Sequence, residues 1–152
     1  MKICVVIPAY NEAKVIKKVI SDSYKIFNKS KYKIDIIVIN DGSSDNTSSE
    51  ASSAGALVID HILNSGAGGA TATGLSFANQ NNYDIAITMD ADGQHNPKDI
   101  LKGIDFALKN KIDLAIGSRL IDSKGMSKVK VLGNKGLSFI TYLRPQTLRE
   151  TL

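Results

Sequence analysis

The chain has 152 residues, 43% hydrophobic and 22% charged, with a formal net charge of +4, a composition that suits one globular domain with a sizeable core. Its single cysteine, Cys4, excludes a disulfide framework and a thiolate zinc cluster, and a reducing, cytoplasmic setting is expected. Residues 118–152 carry +5 and the rest −1, so the body lacks the basic face nucleic acid requires; neither a signal peptide nor an apolar run of about 20 residues is expected.

The elements follow one another as short Val/Ile-rich runs and longer helix-compatible stretches. The first run, 3–7, leads into Pro8-Ala9-Tyr10-Asn11-Glu12 and a helix predicted over 13–27. The second, 34–39, is followed by Asn40-Asp41-Gly42-Ser43-Ser44-Asp45 and a helix over 45–54, with Ser44 or Asp45 as its cap and Gly55 at its end. The third, 57–59, precedes the glycine-rich stretch Gly66–Gly74 and a helix over 69–79. The fourth, 85–89, runs into Asp90-Ala91-Asp92-Gly93-Gln94-His95. Asn96-Pro97 then opens a helix over 97–109. A fifth run, 114–116, ends at Gly117-Ser118-Arg119. Three of these runs are almost wholly apolar, as strands covered on both faces should be. Repeated β-α-β units predict a doubly wound, mainly parallel α/β sheet with helices on both faces. The whole chain, 1–152, reads as one domain.

Ligands of such sheets bind beyond the carboxyl ends of the strands, and there the polar chemistry collects. Asp90 and Asp92 would leave an extended segment on one side. Two carboxylates placed together call for a cation, and Mg²⁺ or Mn²⁺ with oxygen ligands fits. Gln94 has the same parity and could add a carbonyl oxygen or a water contact; a helix-capping turn is the plainer reading of the three. Asp41 suits the N–H edge of a nucleobase, or else a capping turn. Pro8, Tyr10 and Glu12 form a stiff loop with an aromatic face and a carboxylate, and equally an ordinary strand-to-helix turn. The glycine-rich stretch beginning at Gly66 lacks the P-loop ending and follows the third strand, so it reads as backbone approach to a ligand or as close helix packing. Arg119 reads as a diphosphate clamp or as a surface arginine. His95 stands beside the expected metal or in a solvent-facing turn. His61 and Cys4 read as structural.

Together V-V-I-P-A-Y-N-E, I-N-D-G-S-S-D-N-T, D-A-D-G-Q-H and I-G-S-R resemble family 2 glycosyltransferases of the GT-A fold, and specifically their polyprenyl-phosphate branch. The resemblance implies strand order 3-2-1-4, with the donor across the first and fourth loops. It implies a nucleotide-sugar donor (UDP- or GDP-sugar) held by Pro8, Tyr10, Glu12, Asp41, Gly66, Asp90, Ala91, Asp92 and Arg119. Asp90, Asp92 and Gln94 would hold the metal, making Asp90 and Asp92 the catalytic pair. The implied reaction is inverting transfer to a polyprenyl (dolichyl) phosphate. A nucleotide-sugar-binding module without turnover is the alternative reading. A dinucleotide oxidoreductase is disfavoured by the missing glycine fingerprint on the first strand.

Two further expectations concern the basic end. Residues 128–143 mix Val129, Leu132, Leu137, Phe139, Ile140 and Leu143 with Lys128, Lys130 and Lys135. They read as a peripheral contact with the inner face of an anionic membrane, or as a helix that packs on residues beyond. Members of the branch continue into an acceptor-side segment resembling Ser/Thr-Asp-x-Gln-x-Gly-Phe, whereas 144–152 match nothing expected there. The chain is therefore expected to be the donor-binding half of a truncated product. A shifted reading frame is one origin, because some codon choices for 145–152 encode Ser-Asp-Ser-Gln two nucleotides on.

Overall fold

Runs of apolar residues with no polar alternation can be stable in water only if both faces are covered, and this is what the central strands achieve. The computed structural model describes residues 1–115. Contacts divide the chain into Met1–Ile112 and Asp113–Leu152, and the sheet with its helices belongs to the first of these units. Its elements are β1 (Ile3–Ala9), α1 (Ile16–Phe27), β2 (Ile34–Asn40), α2 (Thr47–Ser53), β3 (Leu57–Asp60), α3 (Gly66–Gln80), β4 (Ile85–Thr88) and α4 (Pro97–Asn110). The sheet order is β3-β2-β1-β4, with every pair parallel and with Val5 opposite both Ile36 and Ile87. Of the expected fifth strand, Leu114 and Ala115 are not in a strand, and Ile116 lies outside the described residues.

Alternate residues of β1 divide the core in two. Ile3, Val5, Ile7 and Ala9 join Ile16, Ile20 and Phe27 of α1, Ala51 of α2 and Ile104 of α4. Cys4 and Val6 face the other way, with Ile37, Ile39 and the α3 residues Ala70 and Ala78. Helices therefore cover both faces, as predicted. The α3 face is unusual in having only small residues, Ala70, Gly74 and Ala78, buried at intervals of four. A Cβ on Gly74 would sit 2.2 Å from Val6 Cγ1, so α3 lies on β1 almost backbone to side chain.

Three helix starts differ from expectation. α1 begins at Ile16, not 13, because 13–15 form a turn closed by Val15 N–H on Glu12 O (3.0 Å), with the N–H groups of Asn11, Glu12 and Ala13 bonded to the side chains of Ser43, Thr47 and Asp45. α3 begins at Gly66 rather than 69, since the Ser65 N–H at its cap finds an acceptor in Asp41. α2 begins at Thr47 rather than 45, with Asn46 and not Ser44 or Asp45 at its cap and no side-chain cap bond, although Asp45 accepts from Thr47 N–H (3.0 Å). The other ends follow the expected chemistry, and Gly55 follows α2 with φ +91°. Asn96 caps α4 through Lys98 N–H, with Pro97 in the first turn. Among the described residues, no helix is long and apolar enough to cross a membrane.

Candidate donor and metal site

Four parallel strands bring the loops 10–15, 41–46, 61–65 and 89–96 to one edge of the sheet. The chain winds β1-β2-β3 to one side and then crosses to β4 on the other, so β1 and β4 flank the topological switch point. The expected sites are thereby collected by topology alone.

The first two loops clasp each other. Asn11, in the left-handed region (φ 57°), donates its N–H to Ser43 Oγ (2.9 Å). Its Oδ1 accepts from Ser44 N–H (2.9 Å) and Ser44 Oγ (3.2 Å). Glu12 N–H donates to Thr47 Oγ1 (2.8 Å) and Ala13 N–H to Asp45 Oδ2 (3.1 Å), while Thr47 Oγ1 donates in turn to Asp45 Oδ1. The Thr47 hydroxyl, with these N–H donors, holds the Asp45 carboxyl below its ordinary range. On this framework Pro8 and Glu12 are half-buried, and Tyr10 presents its ring with 51% of the residue exposed.

Asp41 is the opposite of exposed: its side chain is 3% accessible. Its Oδ1 accepts from Ser65 N–H (2.9 Å), Ser65 Oγ (2.7 Å) and His61 Nδ1 (2.7 Å). Burial pushes the carboxyl up, but hydrogen bonds from Ser65, His61 and Gly66 outweigh it and hold the group at about 2. Asp41 thus ties β2 to the start of α3, where a negative charge is favoured. His61, read as structural, proves to be its neighbour and contacts Thr73 Oγ1 through Nε2 (3.0 Å). The signal is its position, since His61 directly follows β3 at the sheet edge where the other loops gather. Beside it, the backbone approaches closely. A Cβ on Gly42 (φ +70°) would meet Asn64 N at 2.8 Å and Leu63 C at 2.9 Å.

The glycine stretch has two functions. Gly74 permits helix packing, whereas Gly66 (φ +80°) supplies a left-handed turn and has nothing within 4 Å of an added Cβ. Open space beside Gly66 leaves room for approach by a ligand.

After β4, Met89 N–H continues the pairing with Val6 O (3.0 Å). Asp90 is then exposed, Ala91 buried and Asp92 exposed, an alternation carried through a turn at Ala91–Asp92 rather than the expected extended segment. It stops there. Gly93 takes φ +73°, and Gln94 N–H folds back onto Asp92 Oδ1 (2.9 Å), so the parity argument does not extend to Gln94. His95 Nε2 lies 3.2 Å from Asp90 Oδ2. Among the described residues no group of three or more His, Cys, Asp or Glu is gathered as a metal cage. Two outward carboxylates suit a hard divalent ion only if a ligand's oxygens complete its shell. Arg119 lies outside the described residues.

The family profile described as Glycosyl transferase family 2 matches residues 4–152. The chain belongs to glycosyltransferase family 2. Its parallel sheet and helices are those of the family's GT-A fold. It is 39% identical over 162 residues to the UDP-N-acetylglucosamine–dolichyl-phosphate N-acetylglucosaminyltransferase of Methanococcus voltae, covering 93% of this chain and 62% of that protein. It is 34% identical over 125 residues to the dolichol-phosphate mannosyltransferase of Pyrococcus furiosus, covering 80% and 34% respectively. Among solved structures it resembles glucosyl-3-phosphoglycerate synthase from Mycobacterium tuberculosis in complex with Mn²⁺, UDP-glucose and phosphoglyceric acid. There the TM-score is 0.55 at 28% identity, over 70% of this chain and 39% of that one. The chain thus spans about three-fifths of the first of these relatives, about a third of the second and about two-fifths of the third.

Proposed function

We propose that this family 2 chain supplies the donor-binding part of a glycosyltransferase that moves a sugar from a UDP- or GDP-sugar to a polyprenyl (dolichyl) phosphate, with inversion. The observation that carries the reading is convergence: the loops after β1, β2, β3 and β4, bearing Tyr10, Asp41, Gly66 and Asp90/Asp92, meet at one edge beside the switch point.

In this reading Pro8, Tyr10 and Glu12 wall the nucleoside end, and Tyr10 offers its ring for stacking. Asp41 faces the base with Oδ2, since both Ser65 donors and His61 Nδ1 end on Oδ1, while Gly66 N–H adds a fourth donor to the carboxylate. The open backbone at Gly66 lets the donor approach. Asp90 and Asp92, on either side of buried Ala91, hold Mg²⁺ or Mn²⁺ with the diphosphate, and Gln94 adds a carbonyl or water contact. When bound, that ion neutralises charge on the departing nucleoside diphosphate. Arg119 contributes a bidentate contact to the same phosphates. A phosphate acceptor is already anionic, so its attack needs no strong general base from the protein. The lipid acceptor puts the protein at the inner face of the membrane, with 128–143 as the peripheral contact.

Titration with UDP- and GDP-sugars, with and without Mn²⁺, tests the donor half. Release of nucleoside diphosphate with and without polyprenyl phosphate tests transfer and separates it from binding without turnover. Failure to bind any nucleotide in the presence of the metal would end the reading.

A further inference from the structure

His61 belongs to the site, although neither its sequence position alone nor the family resemblance assigned it a role. Its N–H continues the sheet pairing to Asn40 O (2.8 Å), so the ring is carried by the rigid end of β3 rather than by a loose loop. The ring is 18% exposed and both of its nitrogens are engaged. Nδ1 is 2.7 Å from Asp41 Oδ1 and 3.1 Å from Ser65 Oγ, and Nε2 is 3.0 Å from Thr73 Oγ1.

The chemistry of these partners sets the proton positions. An ionised carboxylate can only accept, so Nδ1 carries the hydrogen and donates it to Asp41. In a neutral ring Nε2 then accepts, and the Thr73 hydroxyl, seven residues into α3, is the donor. A relay Thr73–His61–Asp41 results, with Ser65 donating twice to the same Oδ1. A buried carboxylate gripped by three donors on one oxygen, with Gly66 N–H as a further donor, has little freedom to rotate, and its other oxygen keeps a set direction.

We infer that His61 is a positioning residue for nucleotide recognition: with Thr73 behind it, it grips Asp41 Oδ1 and so aims Oδ2 at the nucleobase. The inference rests on the proposed nucleoside role of Asp41. His61 itself does not touch the nucleotide.

The test is titration of UDP and GDP with Mn²⁺ into the wild type, His61→Phe, His61→Asn and Thr73→Val, at a temperature where circular dichroism shows each variant folded. Phenylalanine keeps the bulk and loses the N–H; asparagine restores an N–H close to the position of Nδ1. The expected result is affinity weakened tenfold or more in His61→Phe, recovered to within about threefold of wild type in His61→Asn, and intermediate in Thr73→Val. With only two histidines in the chain, ¹⁵N spectra should also show His61 as the Nδ1–H tautomer, a signature retained in Thr73→Val because the Asp41 carboxylate sets it. Unchanged affinity in His61→Phe, or equal losses in the Phe and Asn variants, would overturn the inference while leaving the donor reading standing. A wild type that binds neither nucleotide overturns the donor reading and this inference with it.

Discussion

Gly74 and Gly103 both interrupt helices, and the same substitution should act on them with opposite sign. In a helix interior, Gly→Ala is worth up to about 1 kcal/mol through chain entropy. At Gly103 in α4 nothing lies within 4 Å of the added Cβ, so most of that gain should be realised. At Gly74 in α3 the methyl would fall 2.2 Å from Val6 Cγ1 and 3.2 Å from Ile39 Cγ1. Val6 and Ile39 are fully buried in the centre of the sheet and cannot swing aside, so α3 itself must move by more than 1 Å. A clash as deep as this falls in the upper part of the overpacking range, about 2–3 kcal/mol, which leaves Gly74→Ala a net loss of about 1–2 kcal/mol after the entropy gain. At about 4 °C per kcal/mol for a unit of this size, thermal melting should show Gly74→Ala roughly 4–8 °C below wild type. Gly103→Ala should melt about 2–4 °C above it. A Gly74→Ala protein melting at or above wild type would refute the close packing of α3 on β1.

Asp90→Asn and Asp92→Asn should each reduce Mn²⁺-dependent donor affinity at least tenfold with melting temperature unchanged, because both side chains stand outside the core; calorimetry with normal affinity in both would remove them from the metal site. Asp41→Ala leaves Ser65 and His61 without their shared acceptor and should lower stability by about 1–3 kcal/mol, while weakening free UDP or GDP as well as the sugar donor. Loss of the donor alone would move Asp41 away from the base. The Asp41 carboxyl is held at about 2 against an ordinary value of 3.8, so the native state binds fewer protons than the unfolded one below pH 4. Its contribution is therefore complete above about pH 4 and lost as pH falls toward 2, and acid titration of Asp41→Asn should show a shallower fall across that window.

Much of this was legible in the residues, for reasons that separate the cases. Strands β1 and β2 announce themselves because full burial demands unbroken apolar runs. Asp90 and Asp92 stand outward around buried Ala91, but in a turn that follows β4 and not in the extended segment their spacing suggests. Gln94 departs from the alternation because Gly93 bends the chain, and nothing local says on which residue the bend falls. The start of α1 was misplaced by three residues because its would-be first turn is drawn off by Ser43, Asp45 and Thr47, some 30 positions away. Gly74 and Gly103 look alike along the chain; only the surface each meets tells them apart. His61 escaped notice for a related reason, since its meaning depends on Asp41 and Thr73, which reach it from other elements.

The reciprocal bonds between Asn11 and Ser43–Ser44, and between Asp45, Thr47 and the chain at 12–13, bear on how such a domain can be altered. A loop transplanted alone after β1 would arrive without its acceptors, and one transplanted alone after β2 without its donors. The exchangeable part is the pair of loops, so chimaeras with related chains should tolerate a crossover within α1 poorly. A junction beyond Thr47, which keeps both loops from one parent, should be accepted.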